Sequence, residues 1–367
     1  MLKIQHSRNI YKPIYSTKPV KTTQVDKKGV AKRINIIYTQ YGEFTKNNVD
    51  MNYKKTLCDG IKLPYEQIDR LRSIVGPQEL KSVVARQSNN RAFWVPGERP
   101  QGVAEMLDTH TLTNVLSRDF GANIHVHTKK SDGLLSVKEV LDQAKIYADV
   151  YAQKHDGRFI VGITDHNTAD GCKEAVKILA KNPEKYKNLG VVLGTEISTK
   201  ENAIGEFNFR KPEKLHILSL CINPFDRTTG KFLKDLQNGH KTPMFPKEID
   251  VSQAIDGFKT QQYHWFSLAH PAFPDLTHRV LPTEDHCKAV ESVITHFKTF
   301  AKEKALYTEA YYGSYRGKMA TDTELCNSIL STTNSLNLYK AGGMDTHGNS
   351  IFHSGFFERT LANKKKS

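Results

Sequence analysis

What this chain lacks narrows it first. No apolar run approaches the roughly 18 residues that a membrane-spanning helix needs, so no such helix is expected. The opening residues, Met1-Leu2-Lys3-Ile4-Gln5-His6, carry neither the apolar stretch nor the small-residue cleavage site of a signal peptide. Cysteine is scarce: Cys58, Cys172, Cys221, Cys287 and Cys326 are scattered, odd in number and never spaced Cys-x-x-Cys. That argues against a disulfide framework and against a thiolate metal site. Together these absences predict a cytoplasmic protein in a reducing compartment. No internal repeat is visible.

With 367 residues, the chain has room for one large α/β domain plus an appendage, or for two modest domains. Its hydrophobic content of 38% suffices for a core. The net charge of +14 invites a nucleic-acid reading, but its distribution tempers that. Residues 1–50 hold ten Lys or Arg against Asp26, Glu43 and Asp50, a net of +7. Residues 358–367 hold a net of +3, which leaves +4 for residues 51–357. The basic excess therefore sits in the two ends, where solvated, disordered tails are the commoner explanation.

Residues 1–50 are accordingly predicted to be a mostly disordered basic segment, with a single strand at 34–41. Residues 51–118 read as a partly helical N-terminal appendage with candidate helices at 65–75, 77–84 and 103–116 and no identifiable chemistry. From residue 121 the pattern becomes alternating strands and helices, with strand-like runs at 122–127, 159–164, 191–196, 214–221, 264–269, 306–312 and 337–341. Ser136-x-x-Glu139 and Thr321-x-x-Glu324 are capping boxes, and Ser252 and Thr283 are further N-cap candidates. Strands alternating with helices imply a parallel, barrel-like α/β domain over 119–357, followed by a basic tail at 358–367. In such barrels the chemistry sits at the C-terminal ends of the strands.

The residues at those ends are informative. The first run carries His125 and His127, which alternation places on one face, and Asp132 follows in a Ser-Asp-Gly turn. The second ends in Asp165-His166-Asn167, the third in Glu196 and the fifth in His270. The fourth carries His216 near its start, and the seventh runs into Asp345 and His347. Each has an ordinary role when taken alone. A His-x-His pair arises by chance about 0.6 times in a chain of this histidine content. Asp132 suits a turn, Asp165-His166-Asn167 a helix cap, and Glu196 a surface ion pair. His216 suits a core, His270 a turn before proline, and Asp345 with His347 a glycine-rich loop.

In this order, however, the motifs resemble those of the PHP (polymerase and histidinol phosphatase) superfamily. The resemblance rests on His125-x-His127-Thr128 with Ser131-Asp132-Gly133, Thr164-Asp165-His166, Gly194-Thr195-Glu196-Ile197-Ser198, His216, Ala269-His270-Pro271 and Gly343-Met344-Asp345-Thr346-His347. The series is most similar to the stand-alone phosphoesterase branch, which includes nucleoside 3′,5′-bisphosphate phosphatases and 5′-to-3′ exonucleases. It spans residues 123–348 and none of residues 1–118.

The resemblance implies a distorted (β/α)7 barrel holding two to three divalent metal ions. His125, His127, Glu196 and Asp345 would hold the first ion. Glu196 would bridge to a second, completed by His216 and His270. Asp132, His166 and His347 would hold the third, and Asp165 would orient a ligand imidazole. Imidazole and carboxylate ligands without thiolates suit Mn²⁺, Fe²⁺ or Zn²⁺ better than Mg²⁺ or Ca²⁺. The implied activity is hydrolysis of a phosphomonoester, or of a short nucleotide or oligonucleotide, by a metal-bridging hydroxide. Arg279, Arg316, Lys129 and Lys130 are candidate phosphate clamps.

Two departures stand out: Asn123 occupies a position where the family commonly has Asp, and Met344 one where Ser is usual. Only 53 residues separate His216 from His270, with no helical insertion of the bisphosphate-phosphatase kind. A histidinol-phosphate phosphatase ranks lower, because that branch tends to lack Ser-Asp-Gly. A non-catalytic, metal-stabilised binding module would be signalled by lost ligands, and none of the nine is lost.

Overall fold

The computed structural model describes residues 21–25, 31–35, 38–39, 42–43, 48–89, 121–155, 157–205, 207–240, 243–271, 283–312, 323–343 and 345–351. The predicted helix at 103–116, Thr321, Arg279, Arg316, Met344 and the tail at 358–367 lie outside them. The chain divides into two compact units, Met1–Asn48 and Val49–Ser367. In the first, β1 (Lys21–Val25) pairs antiparallel with β2 (Ala31–Asn35), and β3 (Tyr38–Thr39) pairs with β4 (Gly42–Glu43). The single strand expected at 34–41 is thus divided between two short pairings.

The second unit opens with α1 (Val49–Ile61), a 3₁₀ turn (Tyr65–Leu71) and α2 (Pro77–Asn89). The helix expected at 65–75 is shorter because Ile74 leaves it to bridge Val191 of the sheet. Asp50 caps α2 from outside its own sequence, accepting the N–H groups of Gln78 (2.7 Å) and Glu79 (3.2 Å). The described part of the expected appendage is packed into the same unit as the strands. Tyr53 Oη donates to the Ile222 carbonyl (2.8 Å), and the Val75 N–H donates to Val191 (2.9 Å).

The centre of this unit is a mixed α/β arrangement around a seven-stranded, curled half-barrel sheet whose strands follow chain order. They are β5 (Ala122–Asn123), β6 (Phe159–Ile163), β7 (Leu189–Ile204), β8 (Phe207–Leu220), β9 (Trp265–Leu268), β10 (Ala305–Tyr312) and β11 (Tyr339–Gly343). Helices between them are α3 (Val137–Lys154), α4 (Asp170–Lys181), α5 (Arg227–Leu236), α6 (Val251–Asp256), α7 (Thr283–Ala301) and α8 (Thr323–Ser335). Every residue of β6, Phe-Ile-Val-Gly-Ile, is buried, as expected for a parallel strand covered on both faces. On α4, Cys172, Ala175, Val176 and Leu179 form the buried stripe, spaced three and four residues apart. Ser136 and Glu139 form the predicted capping box, whereas α6 is capped by Asp250 rather than Ser252.

The sheet is not wholly parallel. β8 runs antiparallel to both β7 and β9, because only residues 205 and 206 separate β7 from β8. So short a link permits a hairpin but no crossover helix. Gly205 takes φ +60°, a conformation that glycine adopts at little cost. The reversal explains His216: it pairs with Ser198, two residues beyond Glu196, so the later part of β8 (Phe207–Leu220) carries His216 to the edge where β6 and β9 end. Among the described residues, no helix is long and apolar enough to cross a membrane.

Candidate metal centre

All nine sequence-predicted ligands converge on that edge. After β5 the chain stays extended between two neighbours: the His127 N–H donates to the Thr346 carbonyl (2.9 Å), and the Thr164 N–H donates to that of Val126 (3.0 Å). His125 and His127 are therefore fixed by backbone pairing on both sides, as alternation required. The Ser131-Asp132-Gly133 turn folds back beneath them. A Cβ on Gly133 would lie 2.2 Å from the His127 carbonyl oxygen, so only glycine allows this approach.

Glu196 is the hub, and it is fully buried. Its Oε2 lies 3.1 Å from His125 Nε2, 3.0 Å from His127 Nε2 and 3.2 Å from His166 Nδ1. Its Oε1 lies 3.0 Å from His216 Nδ1 and 3.1 Å from His270 Nε2. One carboxylate thus faces five imidazoles, two through one oxygen and three through the other. Asp345 Oδ1 closes one side, 3.2 Å from His125 Nε2 and 2.9 Å from His127 Nε2. Asp132 Oδ1 closes the other, 3.2 Å from His347 Nε2 and 3.9 Å from His166 Nε2. The His127 ring lies against those of His166 and His347, at centroid separations of 4.4 and 4.1 Å, and those two rings are 5.9 Å apart.

Three overlapping ligand sets result: His125, His127, Glu196 and Asp345; His127, Asp132, His166 and His347; and His166, Glu196 and His216. The first coincides with the set implied by the resemblance. In the second, His127 joins the three residues expected there. In the third, His166 stands beside Glu196 and His216, while His270 meets the same Glu196 oxygen, Oε1, as His216.

The residues fit cations on a direct test. His127 Nδ1, His166 Nδ1, Glu196 Oε2, His216 Nδ1 and His347 Nε2 are buried without a hydrogen bond. Such groups are costly to bury unless something else neutralises them. Without cations, protons take that role. Burial opposes charging His127, yet Asp345 and Glu196 push it up to about 10. Burial likewise opposes charging His125, which Glu309, Glu196 and Asp345 raise well above the ordinary imidazole value. His166 goes the other way, down to about 3, mainly through burial. Burial would raise the Glu196 carboxyl, but His125, His166 and His216 hold it well below the usual range.

Three backbone positions around the cluster are strained. Asn167, His270 and Asp345 sit at φ +51°, +28° and +43°, a region that costs non-glycine residues of order 1 kcal/mol or more. Asn167 does not cap α4, as one reading of Asp165-His166-Asn167 suggests. Its side chain accepts the Ser198 N–H (3.0 Å) and donates to the Pro243 carbonyl (3.0 Å).

Asp165 corrects another expectation. Its carboxylate does not orient an imidazole; it accepts Thr128 N–H (2.6 Å), Thr128 Oγ1 (2.9 Å) and Ser131 Oγ (2.9 Å). It therefore holds the turn that presents Asp132. Lys129 and Lys130, expected to clamp phosphate, engage Glu139 (3.4 Å) and Glu174 (2.8 Å) on the surface. Asn123, the odd residue beside the His pair, is buried and donates through Nδ2 to the Ile351 carbonyl (2.5 Å) and Thr346 Oγ1 (3.1 Å). An aspartate could make neither donation, so the amide ties down the segment that carries His347.

One residue escaped the sequence reading. Glu309 on β10 is 1% exposed and touches His125 Nδ1 (2.9 Å) and the His270 backbone N–H (2.9 Å). With it, the one strand that seemed to contribute nothing reaches the cluster. The available signal was a lone carboxylate in the run Ala305-Leu-Tyr-Thr-Glu-Ala-Tyr-Tyr312. Compared with known proteins, the chain matches no family model and no curated sequence.

Proposed function

We propose that this protein is a metal-dependent phosphoesterase of the PHP type, acting on a phosphomonoester or a short nucleotide. The observation that supports it most is Glu196 set among five imidazoles, with several ligand atoms buried and unpartnered. Such a set has little structural purpose without cations. The strand order suits a distorted (β/α)7 barrel carrying its site at one rim.

His125, His127, Glu196 and Asp345 would hold one ion, Asp132, His166 and His347 a second, and Glu196 with His216 and His270 a third. Mn²⁺, Fe²⁺ or Zn²⁺ bound there would lower the pKa of water and neutralise charge on a phosphoryl group. The protein's own part is positioning. Glu196 fixes the spacing between ligand sets, because its two oxygens face different imidazoles. Asp165 and Gly133 hold the Asp132 turn, and Asn123 holds the strand that leads to His347. Solvent reaches the cluster through His216 and Asp345, whose side chains are 22% and 15% exposed, so substrate enters from that side.

The test is hydrolysis of an aryl phosphate by protein loaded with each metal, comparing wild type with His125→Ala. Metal-dependent turnover that the variant loses is the expected result. Bound metal without turnover would favour a binding module instead. Adenosine 3′,5′-bisphosphate, a 5′-phosphorylated oligonucleotide and histidinol phosphate, assayed side by side, then separate the substrate classes.

A further inference from the structure

Glu309 is buried to the same degree as Glu196, and both of its oxygens are engaged. Oε1 is 2.9 Å from His125 Nδ1, and Oε2 accepts the backbone N–H of His270 at 2.9 Å. The first contact determines which ring nitrogen of His125 carries a proton. A carboxylate only accepts, so Nδ1 must donate, and Nε2 is left as the nitrogen turned toward Glu196 (3.1 Å) and Asp345 (3.2 Å). The second contact fixes the backbone of His270 at φ +28°, a conformation that histidine does not hold without outside support. One buried side chain on β10 therefore orients two histidines at the ends of β5 and β9.

We propose that Glu309 is a positioning residue for the metal centre, presetting His125 for coordination through Nε2 and holding His270 against Glu196. This rests on the reading of the cluster as a metal site. The roles differ from those of a ligand, because the two Glu309 oxygens are turned to His125 Nδ1 and the His270 N–H. A glutamine there keeps the shape but has only one acceptor. If its oxygen serves the His270 N–H, its amide opposes His125 Nδ1–H, and the tautomer with Nε2 protonated is favoured. If its oxygen serves His125, its amide opposes the His270 N–H. Either way one of the two histidines is released.

The experiment compares full-length wild type, Glu309→Gln and Glu309→Asp by Mn²⁺ titration calorimetry and by the downfield proton spectrum of the metal-free proteins. The His125 Nδ1 proton is assigned by its loss in His125→Gln. Supporting partners of metal ligands typically contribute 10–100-fold in affinity. The expected result is a Mn²⁺ affinity about 10–100-fold weaker in Glu309→Gln, with its circular dichroism unchanged. The His125 Nδ1 resonance should also move or vanish. Glu309→Asp, which keeps the charge but is one methylene too short for both contacts, should fall between the two proteins. A folded Glu309→Gln that binds Mn²⁺ within about twofold of wild type would overturn the proposal. If wild type itself binds no Mn²⁺, the metal-site reading fails, and the proposal with it. The proton spectrum then still reports whether the contact between Glu309 and His125 exists. Should Glu309→Gln fail to fold, Glu309→Asp decides by the same two readouts. Should that also fail, wild-type protein loaded with ¹¹³Cd decides: cadmium coupling to His125 Nδ1 rather than Nε2 overturns the proposal.

Discussion

Among the described residues of the second unit, a half-buried cluster of charge beneath α1 and α2 and the buried cluster at the rim of the sheet are neutralised in opposite ways. Beneath α1 and α2, Asp50 caps a helix, and Glu79 receives the Arg158 guanidinium through both oxygens (2.6 and 2.7 Å). Arg158 also donates to the Arg72 carbonyl (2.7 Å) and the Leu189 carbonyl (3.2 Å). This is an arrangement of opposite charges closed by hydrogen bonds, as a structural ion pair requires. At the rim of the sheet, five imidazoles crowd one carboxylate, and several of their nitrogens are buried without a hydrogen bond. Both regions take ionisable groups out of water; at the rim, ligand atoms of several side chains converge on one another without hydrogen bonds. Burial of charge by itself marks no function, whereas convergence without closure points to a ligand.

The largest expected effect breaks the rim. Glu196→Gln removes the group that faces all five imidazoles. It should abolish metal-dependent hydrolysis by at least about 10³-fold and strip the bound ions. Metal removal tests the same point through stability. Ions present at about 100 times their dissociation constant stabilise the folded state by about 2.7 kcal/mol. For a chain of this size that is worth roughly 3–4 °C. Chelation should therefore lower the thermal midpoint of wild type and leave that of Glu196→Gln unmoved. An equal response in both would remove the contrast between the two clusters.

The next effect belongs to the closed cluster. Arg158→Met leaves Glu79 and two carbonyls without their donor, a loss of about 3 kcal/mol in denaturant unfolding. Metal content should not change; a variant that lost both stability and metal would show that the clusters are coupled.

The smallest effect is a pH dependence at Lys54, which lies in the same region and is buried, with its pKa lowered to about 8 chiefly by burial. Below pH 8 it is protonated in both the folded and unfolded states, and the full cost of burying the cation is present. As the pH rises from about 8 toward the ordinary lysine value, the folded state sheds its proton first and the cost fades. Lys54→Met should therefore be more stable than wild type by about 2 kcal/mol at pH 7, with the gap closing by pH 10. A gap that widened with pH would contradict the assignment.

Much of the rim was legible because alternation and strand ends are local properties. His125 and His127 follow from period two and Asp165-His166 and His270 from strand termini, whereas Glu196, expected at a strand end, lies in mid-strand because β7 runs on to Ile204. Three features were not legible, each for a physical reason. The direction of β8 depends on a two-residue link, which a strand-and-helix pattern does not register, so His216 looked misplaced in its strand. Glu309 sits within a strand rather than at its end, and nothing local separates a buried carboxylate from an exposed one. Asp165 adjoins a ligand in sequence, yet its partners, Thr128 and Ser131, come from another strand's turn. The packing of residues 49–89 was invisible for the same reason, since Tyr53 and Val75 find partners far along the chain.

Counting bound ions tests most directly whether the rim cluster is a metal centre. Elemental analysis of protein dialysed after loading with Mn²⁺, Fe²⁺ or Zn²⁺, alongside Glu196→Gln treated identically, gives that count. Wild type should hold two to three ions per chain, and the variant clearly fewer. No bound ion in wild type, or the same count in a folded Glu196→Gln, would contradict it.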